Sequence, residues 1–136
     1  MSGYRIDEIE GIGEATAKTL ALAEIRSTEA LLRACAKPGG RRRVARETGL
    51  TEARLLKWAN MADLLRVKGV GPEYAELLEA AGVDTVKELR NRNPASLAGR
   101  MGEINEAKRL VRRMPTADQV ASWIAEASRL DPAIFH

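Results

Sequence analysis

Two short stretches hold the residues best suited to chemistry. In IEGIGEATAKTL (Ile9 to Leu20) and VKGVGPEYAELL (Val67 to Leu78), two glycines flank one apolar residue, and an apolar rhythm follows. Glycine reaches positive φ and lets other backbone groups approach. With Ile12 or Val70 turned inward as an apolar plug, Gly11–Gly13 and Gly69–Gly71 would present backbone N–H groups beside the positive end of a helix. That setting suits an anion, including a phosphate. The same turn can equally serve only to pack two helices closely. Cations stand near both turns: Lys18 after the first, Arg66 and Lys68 before the second. Two denser clusters lie elsewhere. GGRRRVAR carries Arg41, Arg42, Arg43 and Arg46; KRLVRR carries Arg109, Arg112 and Arg113, spaced to share one side of a helix, with Lys108 adjacent. These could hold phosphates, or could pair at the surface with Glu47, Glu103 and Glu106. Glu14, Glu73 and Glu76 follow the turns; a carboxylate there stabilises the helix by about 0.3–1 kcal/mol but repels a phosphate.

Other chemistries lack their residues. The only histidine is His136 and the only cysteine is Cys35, which argues against a His-based triad, a Cys-His dyad, a His/Cys zinc site and an intrachain disulfide. No GxxxxGK[ST] phosphate loop occurs. Glu103 with Glu106 would be the remaining acid pair, and the sequence gives it no pocket. The expectation is a protein without enzymatic activity, metal or cofactor.

These residues need elements to position them, and the spacing predicts helices throughout. Apolar stripes run through Ala17, Leu20 and Ala21; through Leu55, Leu56, Ala59 and Ala62 beside Trp58; through Tyr74, Leu77, Leu78 and Ala81; and through Val120, Trp123, Ile124 and Ala127. Both tryptophans read as core rather than as base-stacking platforms. Thr51 is a candidate N-cap, Pro72 a first helical residue and Gly82 a left-handed C-cap; Asn93-Pro94 and Pro115-Thr116 each open a helix. KPGGRRR (Lys37 to Arg43) has the composition of a flexible loop. ARETGLTEARL fits helix-turn-helix spacing, but its second helix offers only Glu52, Arg54 and Lys57 to base edges.

The chain also repeats. Ile9, Gly11, Gly13, Ala17, Leu20, Ile25 and Leu31 align with Val67, Gly69, Gly71, Ala75, Leu78, Val83 and Leu89, and TEARLL (Thr51 to Leu56) aligns with NEAKRL (Asn105 to Leu110). The expectation is a first repeat at 1–60 and a second at 61–136, forming one compact unit. A final helix, about Ala117 to Arg129, has no counterpart and closes the core.

At Ile9-x-Gly11-Ile12-Gly13-x-x-x-Ala17-x-x-Leu20, and again at Val67-x-Gly69-Val70-Gly71-x-x-x-Ala75-x-x-Leu78, the chain resembles the helix-hairpin-helix superfamily. Many members of that superfamily bind DNA backbones through the amides of this turn, without strong sequence preference. DLLRVKGVGPEYAELLEAAGVDTVKELRNRNPASL, with LVRRMPTADQVASWIAEA, also resembles a bacterial domain family of unknown function grouped with helix-hairpin-helix relatives; this likeness covers nearly the whole chain. LLEAAGVDTVKEL resembles, over a short span, the DNA-contacting C-terminal domain of bacterial RNA polymerase alpha subunits. The resemblance implies an all-α fold: a duplicated helix-hairpin-helix (SAM-like) domain with a closing C-terminal helix. The DNA-binding relatives commonly place Lys or Arg just after the turn, where this chain has Glu14 and Glu73.

Composition sets the outer bounds. At 136 residues, 45% hydrophobic and 30% charged, the chain reads as soluble and globular. No apolar run approaches the ~20 residues of a membrane span. The start MSGYRIDEIE lacks a secretory pattern, so a reducing cytoplasm is expected. The net charge of +3 is unevenly spread: residues 37–66 and 90–113 are each +5, and the intervening and terminal blocks are acidic. If the basic blocks share a face, they form one patch. The leading expectation is weak, sequence-independent binding to nucleic acid, most simply duplex DNA, at three to five phosphates. Log affinity against log salt would then slope by roughly −3 to −4.5. The alternative is a protein-interaction adaptor, its hairpins purely structural, docking an acidic partner or a second copy.

Overall fold

A computed structural model describes residues 3–136. Among these residues the regular structure is helical: a 3-10 helix at Ile6–Glu8, then α1 (Glu14–Ala21), α2 (Thr28–Cys35), α3 (Pro38–Thr48), α4 (Glu52–Leu64), α5 (Pro72–Ala80), α6 (Val86–Leu89), α7 (Pro94–Lys108) and α8 (Ala117–Ala127). None of the helices is long and apolar enough to cross a membrane. The chain divides into two compact units. Unit 1 runs to Asp63 and regains Ala133–His136; unit 2 is Leu64–Pro132.

Local chemistry explains most helix starts. Side-chain oxygens of Ser27, Thr51, Thr85, Asn93 and Thr116 each accept the amide of the residue three further on, opening α2, α4, α6, α7 and α8. At α8 the bond is reciprocal: Gln119 accepts the Thr116 amide at 2.8 Å. Prolines open α3, α5 and α7, where the missing amide hydrogen has no helical partner to lose.

In unit 1 the apolar residues Leu20, Leu31, Val44, Leu55, Trp58 and Ala59 are buried, as are Ile6, Ile9, Ile12 and Ile25. In unit 2 one cluster holds Val67, Val70, Ala75, Leu77, Leu78, Leu89, Leu97, Met101, Val120, Trp123 and Ala127. Both tryptophans are only 3% exposed, as core residues should be.

The same backbone details recur 58 positions apart. Ile12 N–H donates to Ile9 and Val70 N–H to Val67; Ala17 N–H donates to Gly13 and Ala75 N–H to Gly71. Ile25 N–H reaches back five residues to Leu20, as Val83 N–H does to Leu78. Gly11 and Gly69 have φ of 93° and 92°.

Three expectations about elements need correction. KPGGRRR is not a flexible loop: Pro38 starts α3 and the arginines lie within it. A Cβ at Gly40 would overlap the Ala34 carbonyl oxygen, so this glycine permits close packing of α3 on the end of α2. The last helix does have a counterpart. Trp58 of α4 packs on Gly11, and Trp123 of α8 packs on Gly69, their indole nitrogens 3.2 and 3.1 Å from where a Cβ would stand. Each helix is also capped by a threonine seven residues before its tryptophan. Thus α8 stands to the second turn as α4 stands to the first. Correspondingly, α7 matches α3: both begin at a proline and end at a left-handed residue, Gly49 or Arg109. The likeness of TEARLL to NEAKRL joined the start of α4 to the end of α7, which are not equivalent places.

Candidate nucleic-acid interface

In unit 2 the turn before α5 has the form its sequence suggests. Val70 is buried at 1% and fixes the loop from inside. Gly69, in the left-handed region, and Lys68 are exposed; Gly71 and Arg66 are half-buried. Gly71 is the extended N-cap residue of α5, and it supplies no side chain to the first helical amides. Those amides stay polar and lie at the positive helix end. Glu73, exposed in the first turn, is the opposing charge.

Arg109, Arg112 and Arg113 do not share a helix face. α7 stops at Lys108, and Arg109 is its left-handed C-cap with φ 51°. The following loop is held by Asn105, whose side chain accepts from Val111 N–H at 2.9 Å and donates to Val111 C=O at 3.1 Å. A second tie comes from α5. The Tyr74 hydroxyl donates to the Arg113 carbonyl at 2.8 Å. Tyr74 lies in the first turn after Gly69–Gly71, so this bond brings the exposed Arg112–Arg113 loop to the head of that helix. Tyr74 also packs on Trp123, ring centroids 5.2 Å apart, and Trp123 backs Gly69. One chain of contacts therefore joins the second turn to the later arginines. Tyr74 was visible in the sequence only as an apolar-stripe residue; its hydroxyl role had no local signal.

In unit 1, Gly11 and Gly13 are exposed and Ile12 is buried. Lys18 does not stand free: its Nζ lies 3.5 Å from Glu14. A different cation is near this turn. The Arg54 guanidinium sits 4.8 Å from the ring centroid of Trp58, the residue that backs Gly11. The sequence placed Arg54 only among base-reading candidates, and the stacked position accounts for it otherwise.

The Arg41–Arg43 cluster splits. Arg42, Arg43 and Arg46 are exposed on α3, with Arg43 4.0 Å from Glu47. Arg41 is 5% exposed and is not available to a phosphate. Its guanidinium donates to the carbonyls of Cys35 (2.9 Å), Ala36 (3.1 Å) and Phe135 (2.8 Å). The first two are orphan acceptors at the end of α2; the third belongs to the tail, which also pairs Phe135 N–H with Ala36 C=O. Arg41 is thus a structural clasp. Neighbouring Cys35 is buried, which pushes its thiol up to about 11 despite the opposing charges of Arg41 and Arg43; it is protonated at neutral pH.

These features define an all-helical protein whose two exposed glycine turns stand at helix heads with cations close by. Residues 10–130 match the family described as "Domain of unknown function (DUF4332)", and the chain belongs to that family. The match takes in both glycine turns and all eight α-helices. No curated protein and no solved structure matches the chain.

Proposed function

We propose that the protein binds duplex DNA along its phosphate backbone without reading its sequence, as a non-enzymatic cytoplasmic protein, and that its two glycine turns are duplicated helix-hairpin-helix turns. The supporting observation is the tie between Tyr74 and Arg113, which brings exposed Arg112 and Arg113 to the head of α5, the helix that follows the turn carrying exposed Lys68. In this reading the amides after Gly69 meet a phosphate, and the three cations meet its neighbours. The first turn contributes less, because Lys18 is paired with Glu14. Arg42, Arg43 and Arg46 add attraction from unit 1.

The test is fluorescence anisotropy of a labelled duplex at several salt concentrations. Three phosphates met by Lys68, Arg112 and Arg113 give a slope of log affinity on log salt of about −2.7, and each further contact adds about −0.9. The combined change of these three residues to Ala should remove that share while preserving the helical circular dichroism. Absence of binding at low salt would overturn the proposal and favour the adaptor reading, in which the turns only pack helices.

A further inference from the structure

We propose a second phosphate site in unit 1, in the cleft between the end of α2 and the start of α3. The cleft has a volume of about 490 Å³, and Arg33, Lys37 and Arg43 contribute cations to its walls around Gly39 and Gly40. No carboxylate lines it. Arg33 and Lys37 are exposed and, among the described residues, take part in no ion pair. Arg33 and Lys37, joined by an Arg43 that also reaches Glu47 at 4.0 Å, bring positive charge to one concavity from two helices and their connection, which raises the local concentration of an anion.

Two independent features reinforce the charge. The first is the buried Arg41. It occupies the Cys35 and Ala36 carbonyls, so the negative end of α2 no longer opposes an anion there. Ala36 is itself part of the cleft wall, and the hydrogen-bond partners of Arg41 are all neutral carbonyls. Its positive charge therefore adds to the field of the cleft.

The second feature is Gly39. Gly40 is required by the close approach to Ala34, but Gly39 is not: a Cβ there would meet only the Arg42 guanidinium at an ordinary 3.8 Å. A glycine within a helix is less stable there than an alanine would be. Its bare Cα lines the cleft beside amides that receive no side-chain cap from Lys37. The lining has no aromatic ring to stack a base, so the group recognised is the phosphate itself, as a diester in a nucleic-acid strand or as a free phosphorylated molecule. The site depends on the nucleic-acid reading only for the source of that phosphate.

The test uses the full chain, labelled with 15N and titrated with inorganic phosphate at constant ionic strength. The Gly39 and Gly40 amide resonances should move and saturate. The double variant R33A/K37A should abolish this response, and K68A/R112A/R113A should leave it intact. Gly39→Ala should raise the melting temperature yet weaken the phosphate response, a combination that a purely structural glycine would not give. Shifts spread evenly over surface cations, or an unchanged response in R33A/K37A, would overturn the site. Anisotropy with duplex DNA then separates the sources. A slope that falls by about 2 in R33A/K37A assigns the phosphate to the nucleic acid. An unchanged slope, with the phosphate response present in the wild type, assigns it to a free phosphorylated ligand. Saturating shifts in a protein that binds no duplex would keep the cleft and remove the proposed function.

Discussion

The Tyr74 hydroxyl donates to the carbonyl of Arg113 at 2.8 Å, across 39 positions of sequence. It fixes a cationic loop to the first turn of the helix that follows Gly69–Gly71. Removing the hydroxyl while retaining the ring isolates this tie. Tyr74→Phe should cost about 0.5–1.5 kcal/mol, the net worth of one hydrogen bond. Amide exchange around Val111–Arg113 should quicken while the core of α5 stays protected. Equal protection in both proteins would mean that Asn105 alone holds the loop.

Glu24 sits at φ 62°, in the corner that Gly82 occupies at φ 92° in unit 2. The two corners share their five-residue hydrogen bond, although the Gly82 carbonyl also accepts from the Arg92 guanidinium at 2.9 Å. A left-handed conformation costs a non-glycine residue roughly 1–2 kcal/mol, partly offset by the greater freedom of glycine in the unfolded chain. Glu24→Gly should therefore stabilise the protein by about 0.5–1 kcal/mol in chemical denaturation. A loss of stability would show that the glutamate is held there by something other than backbone geometry.

The glycines of the turns should respond unequally to alanine. Gly69 has both a left-handed φ and the Trp123 indole nitrogen 3.1 Å from the new Cβ. Gly13 is extended, and nothing lies within 4 Å of a Cβ added there. Gly69→Ala should cost about 2 kcal/mol and Gly13→Ala less than about 0.5 kcal/mol, read from urea midpoints.

Arg41 and Arg42 are adjacent and chemically alike, but their roles separate. Arg41→Ala leaves the carbonyls of Cys35 and Phe135 without their donor, and that of Ala36 with only the Phe135 amide, and should destabilise by about 3 kcal/mol. Arg42→Ala, at an exposed position, should stay within about 0.5 kcal/mol while weakening duplex binding. Thermal melts paired with anisotropy distinguish the two effects.

Cys35 gives stability a pH dependence. Its thiol ionises at about 9.0 when exposed in the unfolded chain and at about 11 when folded. The folded state thus keeps a proton that the unfolded state releases. The contribution is full below pH 9 and is lost as pH rises towards 11. At pH 8, iodoacetamide should label the unfolded chain far faster than the native protein.

The helices were legible because their causes are local. Side-chain caps act over three residues, and apolar stripes repeat within one or two turns, so Thr51, Asn93 and Val120 carry their instructions in neighbouring letters. The inward plug of Val70 and the left-handed Gly69 are equally local, since both follow from one turn. Long-range packing decided which cations face solvent. Arg41 reads like Arg42 until residue 135 returns to take its guanidinium, 94 positions away. The placing of Trp123 over Gly69, and of Arg113 beside Tyr74, likewise depends on segments distant in sequence. Charge and apolarity belong to the residue itself, whereas burial and partnership depend on which distant segments pack against it.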